Sequence, residues 1–230
     1  SDSFNAFVVD GRNVYHSGTK IDQYIGHGKL KAGKNTILVK VLQNEISVAV
    51  IGAGRFGRLW AKLLSNDFAV SVYDSDADTL LLAQAENLKP VSLEDALSCA
   101  VIFYAVPISQ FEEAINSHHE YFSRQGSTPP LVVELLSVML HPRSVLEKLL
   151  PSGVPAMLLH PMFGPDSFDF ADSLDSEIRG KIVVDKFTAG AENSVFWCDY
   201  FKSRKFEVIE MSADEHDKLA ADSQGLTHFV

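Results

Sequence analysis

The sequence predicts an α/β fold: a Rossmann-type, doubly wound and mostly parallel sheet, with a small β segment ahead of it. Three observations carry that expectation. Ile46 to Ile51 is a strand-like run that leads straight into Gly52, Gly54 and Gly57, spaced G-x-G-x-x-G before an amphipathic segment. A second strand, Ala69 to Tyr73, ends on Asp74, 22 positions after Gly52. From there strand-like and helix-like segments alternate to the end of the chain, the pattern of βαβ units.

Each glycine has its own physical reason. Gly52 lets the chain turn sharply, Gly54 lets backbone approach a pyrophosphate, and Gly57 lets the helix sit close on the strand. Arg55 and Phe56 complete the cofactor-binding turn, and the free N–H groups opening the next helix would receive the pyrophosphate charge. Three glycines alone also suit an ordinary strand-turn-helix. Asp74 is the independent mark, because a carboxylate there accepts hydrogen bonds from the adenosine ribose hydroxyls and repels the extra phosphate of NADP. Asp76 and Asp78 follow it without Arg or Lys, so NAD is the expected cofactor and NADP the less favoured one. Asp74 equally suits the N-cap of the next helix.

Length and charge narrow the function classes. The 230 residues, 46% of them hydrophobic, can bury one α/β core and a smaller appendage. There is no run of about 18 apolar residues and no basic-plus-apolar leader, so no membrane association is expected. Of the net charge of −10, residues 1 to 45 hold six Lys/Arg against four Asp/Glu, which leaves −12 for the rest. An acidic body argues against nucleic acid and leaves a small-molecule substrate. Cys99 and Cys198 have neither metal-ligand spacing nor a disulfide framework; no metal is expected, and a reducing, cytoplasmic setting is.

Residues 1 to 45 read as a β-rich fragment of uncertain fold. Phe7-Val8-Val9 and Val14-Tyr15 flank the hairpin dipeptide Asp10-Gly11, and Thr36 to Leu42 alternates Ile37, Val39 and Val41 against Lys40. Such a length without disulfide or metal does not bury a self-sufficient core. His16 and His27 read as solvated. Residues 46 to 211 make the NAD-binding unit. After the second strand, Ala77 to Glu86 reads as helix, Leu88 to Val91 as a short strand, and Ser92 with Asp95 as a helix cap. Ala100 to Val106 is a buried strand stopped by Pro107, and Ser109 with Glu112 forms a capping box for a helix to about Phe122. Leu131 to Leu135 (strand), Arg143 to Leu150 (helix) and Ala156 to Leu159 (strand) follow, then a long loop, 161 to 179. Lys181 to Val184 and Phe206 to Ile209 are strands around a helix at Ala189 to Ser203, and Ser212 with Glu215 caps a last helix.

In open α/β sheets ligands bind beyond the carboxyl ends of the strands. Ala105-Val106-Pro107, read as a cofactor contact, Leu135 to Val138, and Leu159 to Pro165 occupy such ends, so Ser137 and His160 converge on one cleft. An imidazole can take a hydroxyl proton as hydride leaves the same carbon, while a serine hydroxyl orients that oxygen. Ser137 also suits a helix cap, and His160 a loop histidine bonded to backbone. Phe168 and Phe170, in the loop beside the cleft, read as hydrophobic packing, and the doublet His118-His119 as solvated.

The segments IGAGRFG, VVELLSVMLHPRSVLEKLLP, LLHPMFGPDS and MSADEHDKLAADSQGLTHFV, in that order, resemble the prephenate/arogenate dehydrogenases of tyrosine biosynthesis, nearest in pattern to the arogenate branch. The resemblance covers residues 46 to 230. It implies oxidative decarboxylation of arogenate to tyrosine, or of prephenate to 4-hydroxyphenylpyruvate, with NAD or NADP. Hydride leaves C4 of the cyclohexadienyl ring, the ring carboxylate departs as CO2, and aromatisation drives the step. The family's catalytic histidine falls on His160, its active-site serine on Ser137, and the histidine of its EHD motif on His216, which equally suits a helix surface. Glu134 and Met139 stand where the family usually has Asp and Lys, so a cation is missing. Plant-type relatives tend to use NADP, against the indication of Asp74.

Family members continue into an all-helical domain that dimerises, covers the cleft and supplies an arginine for the substrate carboxylates. Residues 212 to 230 are therefore expected to be the first helix of a truncated helical domain, with a homodimer only where the rest is present, low isolated activity, and a plastid location if the source is a plant or alga. Two other readings stand beside this one: another NAD-dependent dehydrogenase of the same fold, and a dinucleotide-binding module without catalysis. In the first segment, FVVDGRNVYHSG and LKAGKNTILVKVLQNE resemble the final strands of jelly-roll domains attached to some carbohydrate-active and other extracellular enzymes. Such a domain needs about eight strands, and fewer than half are here.

Overall fold

The computed structural model describes residues 7–9, 12–14, 46–124, 129–168 and 178–227, with side chains in 46–124, 129–168 and 178–222. The chain divides into two compact units, Ser1–Ile46 and Ser47–Val230. In the first, β1 (Phe7–Val9) and β2 (Arg12–Val14) pair antiparallel with Val9 opposite Arg12. The strand expected at Thr36 to Leu42, and His16 and His27, lie outside the described residues.

The second unit alternates strand and helix. Its elements are β3 (Ser47–Ile51), α1 (Arg55–Leu64), β4 (Ala69–Tyr73), α2 (Ala77–Ala85), α3 (Leu93–Leu97), β5 (Val101–Tyr104) and α4 (Ile108–Arg124). Then come β6 (Leu131–Glu134), α5 (Leu140–Leu149), β7 (Ala156–Pro161), β8 (Gly180–Asp185), α6 (Gly190–Ser203), β9 (Phe206–Glu210) and α7 (Ala213–Thr227). The seven strands of this unit form one sheet in the order β4-β3-β5-β6-β7-β8-β9, parallel throughout except for the antiparallel pair β7 and β8. Strand order reverses between β3 and β5, which opens a crevice at their carboxyl ends.

Burial on both faces explains why the central strands are unbroken apolar runs rather than alternating ones. Ala49, Ile51, Ile102, Tyr104 and Val132 face a layer containing Phe111, Ile115 and Phe122 of α4 and Val145 and Leu146 of α5. Phe103 points the other way, with its ring 5.8 Å from Trp60 of α1 and 5.2 Å from Trp197 of α6. Trp60 is 1% exposed; burying a side chain of that size contributes about 1.5–3 kcal/mol, which docks α1 against the sheet. Phe168 packs as the sequence predicts, buried with its ring 4.9 Å from Phe163 and 6.2 Å from Phe206, whereas Phe170 lies outside the described residues.

Three local expectations need correction. Ser109 is not a cap: α4 begins at Ile108, because Pro107, with φ already helix-like, opens the turn itself and accepts the Gln110 N–H at 2.9 Å. Leu88 to Val91 makes a single bridge, Pro90 opposite Val72, rather than a strand. The helix expected from Arg143 starts at Leu140, because Asp217 of α7 takes the N–H groups of Met139 and Leu140. The box at the start of α7 forms reciprocally: Ser212 Oγ accepts the Glu215 N–H and Glu215 Oε2 accepts the Ser212 N–H. Among the described residues no helix is long and apolar enough to cross a membrane.

Candidate active site

At the crevice between β3 and β5 a cavity of about 760 Å³ is lined by Gly52, Gly54, Arg55, Phe56, Asp74, Ala105, Val106 and Pro107, residues of the glycine turn, the start of α1 and the ends of β4 and β5. Gly57 lies just behind it. The glycines behave as their spacing demands. Gly52 has φ +95° and a Cβ there would stand 2.6 Å from the Ala105 carbonyl oxygen; a Cβ on Gly57 would stand 1.8 Å from that of Gly52. Gly54 faces open space, so bare backbone lines the cavity. No side chain caps α1, and its first N–H groups are left for an anion. These features fit a dinucleotide.

Asp74 sits on the cavity wall with each oxygen already accepting one backbone N–H: Oδ2 that of Ala53 at 2.7 Å and Oδ1 that of Asp76 at 3.0 Å. It therefore braces the glycine turn as well as presenting a carboxylate to the rim. It is not the N-cap of α2, which is Asp76, whose side chain accepts the Asp78 N–H. Nearby cations are engaged. Arg58 pairs with Glu86 at 3.0 Å and donates to the Ala53 carbonyl, and Arg55 pairs with Asp166.

A second cleft of about 520 Å³ shares Phe56, Ala105, Val106 and Pro107 with the first and adds Leu136, Ser137, His160 and Met162. Ser137 and His160 thus do line one cleft, and it adjoins the dinucleotide cavity. Ser137 is exposed there and is not a helix cap, since α5 begins three residues later. His160 is not a backbone-bonded loop residue either. It lies on β7, and its Nδ1 is 2.8 Å from Nε2 of His216, the two rings edge to face at 89°. His216 is 5% exposed, so it is not on a helix surface; its Nδ1 lies 2.7 Å from Oδ1 of Asp217. Burial, and then the neighbouring His216, push the His160 pKa down despite the opposing pull of Asp217, which favours a neutral ring able to accept a proton. Asp217 is the aspartate of the EHD motif, in which the histidine alone stands out from the sequence, because an acid in a helix's first turns is commonplace.

The missing cation finds its counterpart here. Glu134 is fully buried, with Oε2 accepting the Leu136 N–H at 2.8 Å and Oε1 without a partner among the described residues. Burial drives its pKa well above the usual carboxylate range, and Asp217 and Asp185 push the same way. Burial thus favours the neutral form of Glu134, and Met139 is itself 0% exposed and brings no charge. His118, expected in solvent, is 5% exposed and shares a 2.8 Å hydrogen bond with the Tyr104 hydroxyl.

The chain is similar to known dehydrogenases in sequence and fold. Residues 47–128 match the family described as NADP oxidoreductase coenzyme F420-dependent. The chain is 26% identical to arogenate dehydrogenase 2, chloroplastic, of Arabidopsis thaliana, over 80% of this chain and 52% of that protein. It is 29% identical to arogenate dehydrogenase 1, chloroplastic, of the same plant, over 80% of this chain and 29% of that protein. The chain thus spans about half or less of the length of these curated relatives. Among solved structures, the prephenate dehydrogenase of Aquifex aeolicus in complex with hydroxyphenyl propionate and NAD+ shares the fold, with a TM-score of 0.61 at 18% identity over 78% of this chain and 64% of that one.

Proposed function

We propose that the chain, similar in sequence to arogenate dehydrogenases, carries the nucleotide-binding and proton-accepting part of an NAD-dependent oxidative decarboxylation of arogenate or prephenate. The observation that supports this most is the placement of His160 and Ser137 on a cleft continuous with the glycine-floored cavity. A bound nicotinamide supplies the two-electron oxidant. The chain's own residues do the rest. Backbone at Gly54 and the amides of α1 would hold the diphosphate, and Asp74 would receive the ribose hydroxyls. Ser137 orients the hydroxyl on the ring carbon to be oxidised, and neutral His160 accepts its proton, a contribution of about 10²- to 10⁴-fold. Loss of CO2 then makes the ring aromatic, so the products are tyrosine or 4-hydroxyphenylpyruvate.

The test is an assay of the chain with NAD and NADP against arogenate, prephenate and a panel of hydroxy acids, following reduced cofactor and CO2 together. Equimolar CO2 and reduced cofactor from either cyclohexadienyl substrate, abolished in His160→Asn, is the expected result. Turnover of a hydroxy acid alone, or undiminished turnover in His160→Asn, overturns the proposal.

A further inference from the structure

We propose that Asp217 is a positioning residue that sets the tautomers of His216 and His160 in series and so leaves Nε2 of His160 bare toward the cleft. This deepens the reading of His160 as the proton acceptor and rests on it. An ionised carboxylate only accepts hydrogen bonds. With Asp217 Oδ1 at 2.7 Å from His216 Nδ1, that nitrogen must carry the proton. In neutral His216, Nε2 is then an acceptor, and His160 Nδ1, 2.8 Å away, must be the donor. The only lone pair left on the His160 ring is that of Nε2. A carboxylate thus dictates, through one imidazole, which nitrogen of a second imidazole can act as base.

The carboxylate is held in place for this. Its Oδ1 also accepts the Met139 N–H and its Oδ2 the Leu140 N–H, both at 2.9 Å, at the start of α5, where no side chain of α5's own cap position serves. Among the described residues its one ion-pair partner is His216. Burial alone would raise its pKa, but the Leu140 amide, His216 and the Met139 amide together hold it below the usual carboxylate range. The other acids facing this group do not compete for the relay. Glu134 from β6 has one oxygen on the Leu136 N–H and its pKa raised by burial, and Asp185 from β8 is occupied by Arg143 at 3.1 Å and by the N–H groups of Phe187 and Ala213.

The test reads the ring nitrogens directly, with no substrate or cofactor present. In ¹⁵N-histidine-labelled chain at neutral pH, with the resonances assigned through His160→Asn and His216→Asn, both rings are expected as Nδ1–H tautomers with bare Nε2. Asp217→Asn places an amide against His216 Nδ1, and the bare-Nε2 form of His160 is expected to fall from nearly all molecules to a minority. His216→Asn is the second variant, since it leaves the bonds of Asp217 to α5 untouched yet cuts the relay; His160 should then populate both tautomers. Wild-type His160 as the Nε2–H tautomer, or a His160 tautomer unmoved by both variants, overturns the proposal and reduces Asp217 to an anchor for α5. Where the chain turns over a cyclohexadienyl substrate, Asp217→Asn should lower kcat about 10²-fold with KM little changed. Tautomers that shift as expected in a chain with no such turnover would leave the relay standing and remove only the substrate assignment.

Discussion

The carbonyl oxygen of Gly52 occupies the space a Cβ on Gly57 would need, 1.8 Å from where that carbon would sit. Both partners are backbone, so neither can yield without lifting α1 off β3. Gly57→Ala should therefore cost about 1–3 kcal/mol or more of stability and abolish dinucleotide binding. Gly54 has an ordinary φ of −59° and nothing within 4 Å of its would-be Cβ. Gly54→Ala should melt like the parent chain yet bind NADH at least tenfold more weakly, because the methyl stands where backbone meets the diphosphate. Thermal melts with NADH titrations separate the two cases, and a Gly57→Ala chain that melts and binds normally would contradict the packing described.

Glu134 gives a pH dependence whose sign is unusual for a carboxylate. Its native pKa lies above its unfolded value of 4.5, so the stability it allows is fully present below pH 4.5 and is lost as pH rises toward the native pKa. The loss runs at up to about 1.4 kcal/mol per pH unit in that window. Gln copies the shape of the neutral acid and keeps an acceptor for the Leu136 N–H. Glu134→Gln should match the parent chain in urea unfolding at pH 4.5 and exceed it increasingly toward pH 8. A variant that is less stable at pH 8 would show that the carboxylate is ionised.

Much of this was legible in the sequence, and the failures have physical causes. Of the fingerprint glycines, Gly52 and Gly57 meet the close approaches their spacing demands, Gly52 against the Ala105 carbonyl and Gly57 against that of Gly52, while Gly54 faces open space. Ser137 and His160 are found on one cleft because strand ends in a parallel sheet share an edge. What spacing cannot carry is partnership across the fold: the contact of His160 with His216 spans 56 positions and exists only because α7 lies beside β7. Glu134 shows the same limit for charge, since burial set by neighbours on other elements decides its ionisation. His118 is different. Phe111, Ile115, His118 and Phe122 share the buried face of α4 at helical spacing, so its burial was present in the periodicity and is obscured only by the polarity of the doublet.

Asp74 does two things at once, and substitution can separate them. One oxygen holds the Ala53 N–H and the other the Asp76 N–H, so removing the side chain would loosen the turn itself. Asp74→Asn keeps an acceptor for Ala53 while removing the charge. NAD binding should weaken about tenfold, about 1.4 kcal/mol, while NADP binding holds or improves. Calorimetric titration of both cofactors measures the ratio; an unchanged preference would mean that Asp74 supports the turn without reading the ribose.

His118 supplies a second pH effect, of opposite sign to that of Glu134. Burial lowers its pKa to about 4, against 6.5 for an unperturbed ring, and it stays neutral beside the Tyr104 hydroxyl. The unfolded chain takes up the proton first as pH falls, so the stability is present above pH 6.5 and is lost progressively toward pH 4. Gln at this position can still accept the Tyr104 O–H but does not titrate. The difference in unfolding free energy between His118→Gln and the parent chain should therefore shift by about 1–3 kcal/mol in favour of the variant between pH 7 and pH 4. Urea unfolding at half-unit steps of pH traces that curve. A difference that stays constant across the range would place His118 in contact with solvent protons in the native state, against its burial between α4 and β5.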